Sequence, residues 1–277
     1  MTNFSHSNRR KFLALGTALA AGTLLSACRD KDHQQEVDSQ QPLNDSNLLA
    51  QITAKMSIQL DDPNVANIVS PILLDSCFNW ELPQIKANQI NSIIGYAFGN
   101  RPNDQSGNTS SNGENQAAMP DPGPMNEALA DTIYSIYKLN PVKIYAQWEI
   151  ARFLTSKYHL AEDVLTSIEP IIASDGSIIY LSTDDVANTI IKISGGSSAL
   201  GNVAIVGHRD HAKRCILTSQ LRGIKAAVVQ EVSLPVVYDE KSGQPWTRSR
   251  DLYLIHDIYA QLYTKTLLLT KQAYPQG

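Results

Sequence analysis

The sequence predicts an α/β fold: a three-layer sandwich on a mainly parallel sheet, preceded by a helical N-terminal segment. Three observations predict it. From residue 92 onward, short apolar runs alternate with stretches of helical periodicity, the pattern expected of right-handed crossovers and a parallel sheet. Before that, Leu48, Leu49, Ile52 and Met56 recur at spacings of three and four, which marks an amphipathic helix. The hydrophobic content of 43% is ordinary for a globular domain, and residues 46–277 suffice for one α/β core.

The start of the chain reads differently. Arg9, Arg10 and Lys11 precede an apolar run from Phe12 to Leu25, and Leu25-Ser26-Ala27-Cys28 closes it. These are the three parts of a secretory signal. The apolar run is about 14 residues long, short of the ~20 that a membrane-spanning helix needs. The stretch Asn8 to Leu13 resembles the twin-arginine export motif in both arginines, Phe12 and Leu13. Leu25 to Cys28 resembles the lipobox of bacterial lipoproteins. Together these resemblances imply a signal peptide over 1–27, cleavage before Cys28, and acylation of its thiol and new amine with palmitate-like chains. Each buried methylene contributes roughly 0.8 kcal/mol and one chain alone holds only marginally, so two or three on Cys28 would anchor the protein to a membrane. The expected location is the cell membrane or outer membrane, lipid-anchored, facing the periplasm or exterior. Residues 28–45 are polar and charged and read as a tether.

The folded part then divides into a helical cap over 46–91 and an α/β core over 92–277. Pro63, Pro71 and Pro83 read as breaks within the cap. In the core, Ile93 to Phe98 is the first strand, and Met125 to Leu139 is a helix with Leu129, Ile133 and Ile136 on one face. Val142 to Ala146 is the second strand, with a helix from Glu149 to about Lys157. Ser177 to Leu181 is the third, with a helix from Asp184 to Ile193. Val203 to Gly207 is the fourth, with a helix from Arg209 to about Leu221. Lys225 to Val229 is the fifth, and Arg250 to about Lys271 closes the chain as an amphipathic helix on which Tyr253, Tyr259 and Tyr263 are expected to face the sheet. Helices on both faces make this a Rossmann-like sandwich.

Charge narrows the function classes. The chain carries a net charge of −4, and removing the three basic residues of the signal takes it to −7. Such a surface argues against nucleic acid, which needs basic patches. With Cys28 lipidated, Cys77 and Cys215 remain, either as a pair formed in an oxidising compartment or as free thiols. Twin-arginine export carries folded proteins out of a reducing compartment, so that resemblance argues for free thiols.

Familiar signatures are missing. There is no Walker phosphate loop and no Gly-x-Ser-x-Gly elbow, and the Gly-rich run 195–201 precedes a strand where a dinucleotide fingerprint follows one. No cofactor is assigned. The informative segment is Val203 to Arg214, where a buried strand ends at Gly207 and a helix starts near Asp210. It places His208, Asp210 and His211 at a strand's carboxyl end and a helix's N-terminus, where free N–H groups favour anions. His211 and Arg214 lie three apart on one helical face. They suit an anionic small molecule, with His211 passing a proton near neutral pH. Two other readings stand beside this one. Asp210 caps the helix, or His208 and His211 are metal ligands, which would need a third. No metal site is assigned.

Matching strand ends supply the remaining candidates: Gln147 and Glu149 after the second strand, Thr183 and Asp185 after the third. Glu149 and Asp185 are supporting carboxylates or simple complements of their helix dipoles. Gly99 begins a Gly-, Asn-, Ser- and Pro-rich loop running to Gly123, which is either functional or a tolerated insertion. Asn126 and Glu127 open the next helix as site residues or caps. Arg248 and Arg250 lie at the start of the last helix.

Here the residues suggest a family. The strand leading into His211-x-x-Arg214 resembles the signature of the DUF218 family, the YdcF/SanA/ElyC-like envelope proteins. Ser182-Thr183-Asp184-Asp185 resembles the Ser/Thr-rich acidic segment that precedes it there, and Gly95 and Gly99 echo the glycines ending the first strand. The resemblance covers about 92–229. It departs at Ala146-Gln147-Trp148-Glu149, where the family has Ser-Gly-Gly, at Val186 in place of Asn, and at His208 in place of Thr or Ser. It implies cell-envelope metabolism and a nucleotide-like or polyprenyl-phosphate-like ligand. The competing expectation is a non-catalytic envelope interaction or scaffold lipoprotein.

Overall fold

The computed structural model describes residues 44–102, 119–174 and 178–276. The signal, Cys28, most of the tether, the middle of the 99–123 loop and Ser177 lie outside them.

Two helices come first, α1 (Asp45–Leu60) and α2 (Pro63–Phe78), joined by Asp61 in the left-handed conformation. Pro63 is the first residue of α2, where its missing N–H costs nothing. Pro71 sits inside α2, which runs through it. The proline breaks read from the sequence therefore hold at the helix start and not at its centre. Lys213 and Lys265 both pair with Asp75, and Lys213 also donates to the carbonyls of Asp75 and Asn79, fastening the end of α2 to the core.

A six-stranded sheet follows: β1 (Gln84–Ile85), β2 (Ser92–Gly95), β3 (Lys143–Gln147), β4 (Leu165–Ile168), and, beyond a small ribbon, β7 (Asn202–Val206) and β8 (Lys225–Val229). Its order is β1-β8-β7-β2-β3-β4 and every pairing is parallel. The ribbon is β5 (Ile171–Ile172) paired antiparallel with β6 (Ile178–Ile179).

Helices α3 (Gly123–Leu139) and α4 (Trp148–Ser156) share one apolar cluster with Ile93, Ile144, Ala204 and Val206. Helices α5 (Thr183–Ser194) and α6 (Arg209–Leu221) share the other with Ile94, Tyr145, Val203 and Ile205. Neighbouring residues of one strand thus point to opposite layers, as the period of two demands. The last helix is α7 (Arg250–Ala273), packed on α6 and α2.

The third predicted strand is a correction. Ile178 and Ile179 belong to the ribbon, and β4 takes the sheet position. Ile171, Ile172 and Ile179 are about half exposed and only Ile178 is buried, so this β-branched run skirts the core and does not cross it. Edge strand β4 buries only Leu165 and Ile168, with Thr166 and Ser167 between them, too few apolar residues to announce a strand. Likewise β1 lies within the span read as cap. On α7, Tyr253 is buried as expected, whereas Tyr259 and Tyr263 are exposed. Cys77 and Cys215 are free thiols, Cys215 buried.

Candidate functional site

Strands β3, β2 and β7 lie side by side, and the chain leaves β2 to one side for β3 and β4, and later returns to its other side for β7 and β8. Such a reversal opens a crevice at the strands' carboxyl ends. A cleft of about 390 Å³ sits there, lined by Gly99, Gln147, Glu149, Thr183, His211 and Arg214 from among the sequence candidates.

Its floor is built by backbone clamps. Gln147 ends β3, and its side-chain oxygen accepts from Ala97 N at 2.8 Å. Asn126 in the first turn of α3 accepts from Phe98 N at 2.9 Å and donates to the carbonyls of Gly99 and Pro122. The chain then turns at Gly99, whose φ of 63° and close neighbours Thr247, Met125 and Ser242 leave no room for a Cβ. At the base of the long loop Arg101 bridges to Asp121 and pairs with Asp239 at 2.7 Å.

One wall centres on Arg214. Its Nε donates to Asp257 at 2.6 Å, Nη1 to Thr183 at 3.2 Å and Nη2 to Tyr253 at 3.1 Å. Asp257 is fully buried and also accepts from Tyr253 and Gln261. Burial alone would raise its pKa, but the Arg214 guanidinium bonded to it holds it at about 2. His211 Nδ1 stands 3.6 Å from Asp257, beyond hydrogen-bond range, and has no bond among the described residues. Burial, and next the Arg214 charge, push the His211 pKa down to about 4. Its imidazole is therefore neutral at pH 7, which corrects the expectation of a proton exchanged near neutrality.

Glu149 lies across the same cleft. There is no loop between β3 and α4, so this second residue of α4 is carried inward and is only 3% exposed. Burial raises its pKa to about 7, and Asn100 and Arg152 oppose the shift only in part. Its Oε2 and the nearby Tyr180 hydroxyl have no hydrogen-bond partner among the described residues.

Three candidates stand elsewhere. Asp185 forms a capping box with Ser182, accepting from its N and Oγ at 3.1 and 2.7 Å, and serves the helix start. His208 lies beneath the cleft: its Nδ1 accepts from Asp210 N, and its ring stacks on Phe98 at 4.1 Å. Burial holds it near pKa 4. Asp210 is buried against Tyr238 and Arg250, at 2.7 and 3.0 Å. Arg248 donates to Ser242 O, and Glu127 pairs with Lys157. Among the described residues no group of three or more His, Cys, Asp or Glu is placed to hold a metal.

Sequence reasoning missed Tyr180, Gln244, Trp246, Thr247, His256 and Asp257, and gave Tyr253 a packing role alone. Trp246 stacks on His256 at 4.8 Å and lines the cleft with Tyr253. The available signal was Tyr253, His256 and Asp257 at i, i+3 and i+4 on α7, a polar stripe on a face that had to be buried.

No family model matches this chain, and no curated protein or solved structure matches it.

Proposed function

We propose that this protein is a lipid-anchored envelope protein of the DUF218 type that binds a small anionic molecule in this cleft. Anchor and export route rest on the order of Arg9, Arg10, Phe12, Leu13 and Cys28 in the sequence. One observation carries the ligand reading. Arg214 lines the cleft with its guanidinium fixed by a buried carboxylate, and three bonds to described residues leave two of its five N–H donors spare. A fixed fork with free donors suits a phosphate or carboxylate. Asp257 compensates the charge, so hydrogen bonds contribute more to affinity than the field does. Glu149 adds proton transfer. Its carboxyl, with a pKa near 7, lines the same cleft as the neutral His211 imidazole, which stays unprotonated there. Nucleotide-like and prenyl-phosphate-like compounds are the ligand classes the resemblance adds.

The test is calorimetry or thermal shift with inorganic phosphate, nucleotides and prenyl phosphates on wild type and Arg214→Lys. Lysine keeps a charge opposite Asp257 and removes the fork. A lost charge-assisted hydrogen bond contributes roughly 1.5–3 kcal/mol, so binding should weaken about tenfold to a hundredfold while the fold persists. Equal affinity in both proteins would refute the anchor role.

A second reading, a non-catalytic interaction lipoprotein, is favoured by one observation. Leu252, Ile255, Tyr259 and Tyr263 form an exposed stripe along α7. It predicts no ligand for the cleft and loss of a partner when the stripe is made polar.

A further inference from the structure

The cleft carries a second group of polar atoms that the anion does not use. Glu149 Oε2 and the Tyr180 hydroxyl are both shielded from solvent, both belong to residues lining the cleft, and neither has a hydrogen-bond partner among the described residues. A buried carboxyl oxygen without a partner is costly. The nearby cation, Arg152, is turned to the surface and engaged with Glu169 at 3.0 Å. The ribbon of β5 and β6 explains how Tyr180 comes to be there. It leads directly through Tyr180 and Leu181 to the cap of α5, so the segment lining this side of the cleft is delivered by an element outside the main sheet.

We propose that Glu149 and Tyr180 form a hydroxyl-binding subsite, so that the ligand is a phosphorylated or carboxylated polyol or sugar whose anionic group meets Arg214. The assignment follows from donor and acceptor chemistry. A carboxyl that is readily protonated both donates and accepts, and a phenol does the same. Hydroxyl groups are the partners that satisfy both roles at both positions. An ammonium group only donates and would demand a permanently ionised Glu149. The stacked Trp246 and His256 rings add an apolar wall suited to the carbon face of such a molecule. This inference rests on the anion reading of Arg214.

Matched phosphomonoesters separate the two readings by calorimetry. The probes are inorganic phosphate, propyl phosphate, glycerol 3-phosphate and phosphoethanolamine. Glycerol 3-phosphate should bind at least about tenfold more tightly than propyl phosphate, the gain of two hydrogen bonds. Tyr180→Phe and Glu149→Ala should each cut that ratio several-fold, and Tyr180→Phe should leave phosphate affinity unchanged. Tyr180→Phe removes one oxygen atom, so a folded variant is available if Glu149→Ala unfolds. Equal binding of propyl phosphate and glycerol 3-phosphate overturns the subsite and leaves the Arg214 reading intact. Tighter binding of phosphoethanolamine than of glycerol 3-phosphate overturns it in favour of an amine. Failure of all four probes overturns both readings together.

Discussion

Replacing Glu149 by Gln should stabilise the protein above neutral pH and leave it unchanged in acid. The carboxyl has a pKa of about 7 in the folded chain against an ordinary 4.5. Below 4.5 it is protonated whether folded or unfolded, and burial costs no charge. Above 7 the folded protein must either bury the carboxylate or hold a proton that water would release. Stability is therefore lost as pH rises through this window, with a limiting magnitude of about 3 kcal/mol at 1.36 kcal/mol per unit. Gln has the same shape and no charge, so Glu149→Gln removes the loss. For a domain of this size that amounts to a rise in Tm of about 6–12 °C at pH 8. Thermal melts of both proteins at pH 4.5 and pH 8 read it directly. His208 and His211 also titrate between folded and unfolded chain, but they act equally on both proteins and cancel in the difference. The same Tm difference at both pH values would refute the buried, uncompensated carboxyl.

Asp257→Asn should lower stability by about 2 kcal/mol at pH 7, because a carboxylate held near pKa 2 against an ordinary 3.8 stabilises only while ionised; the effect is full above pH 4, fades as pH falls towards 2, and is checked by denaturant melts across that range. Cys28→Ser should release the mature protein from membranes or leave it uncleaved, read by fractionation, and identical fractionation of mutant and wild type would end the lipoprotein reading.

Much of the architecture was legible because buried parallel strands are continuous apolar runs, and Ile93, Val142 to Ala146, Val203 to Gly207 and Lys225 to Val229 are such runs. The failures have a common cause. Edge strands β1 and β4 bury few side chains, so nothing in Gln84-Ile85 or Leu165-Thr166-Ser167-Ile168 distinguishes them from loop. The isoleucines of β5 and β6 look like a core strand, yet all but Ile178 stay half exposed. In the site, strand-end logic reached Gln147, Glu149, Thr183, His211 and Arg214, since each follows its element directly. It did not separate these from Asp185 and Asp210, because a helix-start carboxylate reads the same whether it caps the helix or faces a crevice. Nor did it reach Asp257, which lies 43 residues beyond Arg214 on another element.

That distant contribution changes how mutations at the site must be read. Arg214 and Lys213 are neighbours on α6. Arg214 holds Asp257 of α7 beside the cleft, and Lys213 holds Asp75 of α2 on the cap side, where Lys265 of α7 joins it. Asp257 and Lys265 are eight residues apart, near enough to two helical turns to share a face. Cleft wall, last helix and cap are therefore coupled through two adjacent residues of α6. Arg214→Ala would not be a clean binding mutant: it leaves the fully buried Asp257 without its closest cation, and breaking a buried pair typically costs 3–5 kcal/mol. Arg214→Lys avoids that loss, so a fall in ligand affinity in the lysine variant speaks for the site, whereas a fall in the alanine variant speaks first for the packing of α7.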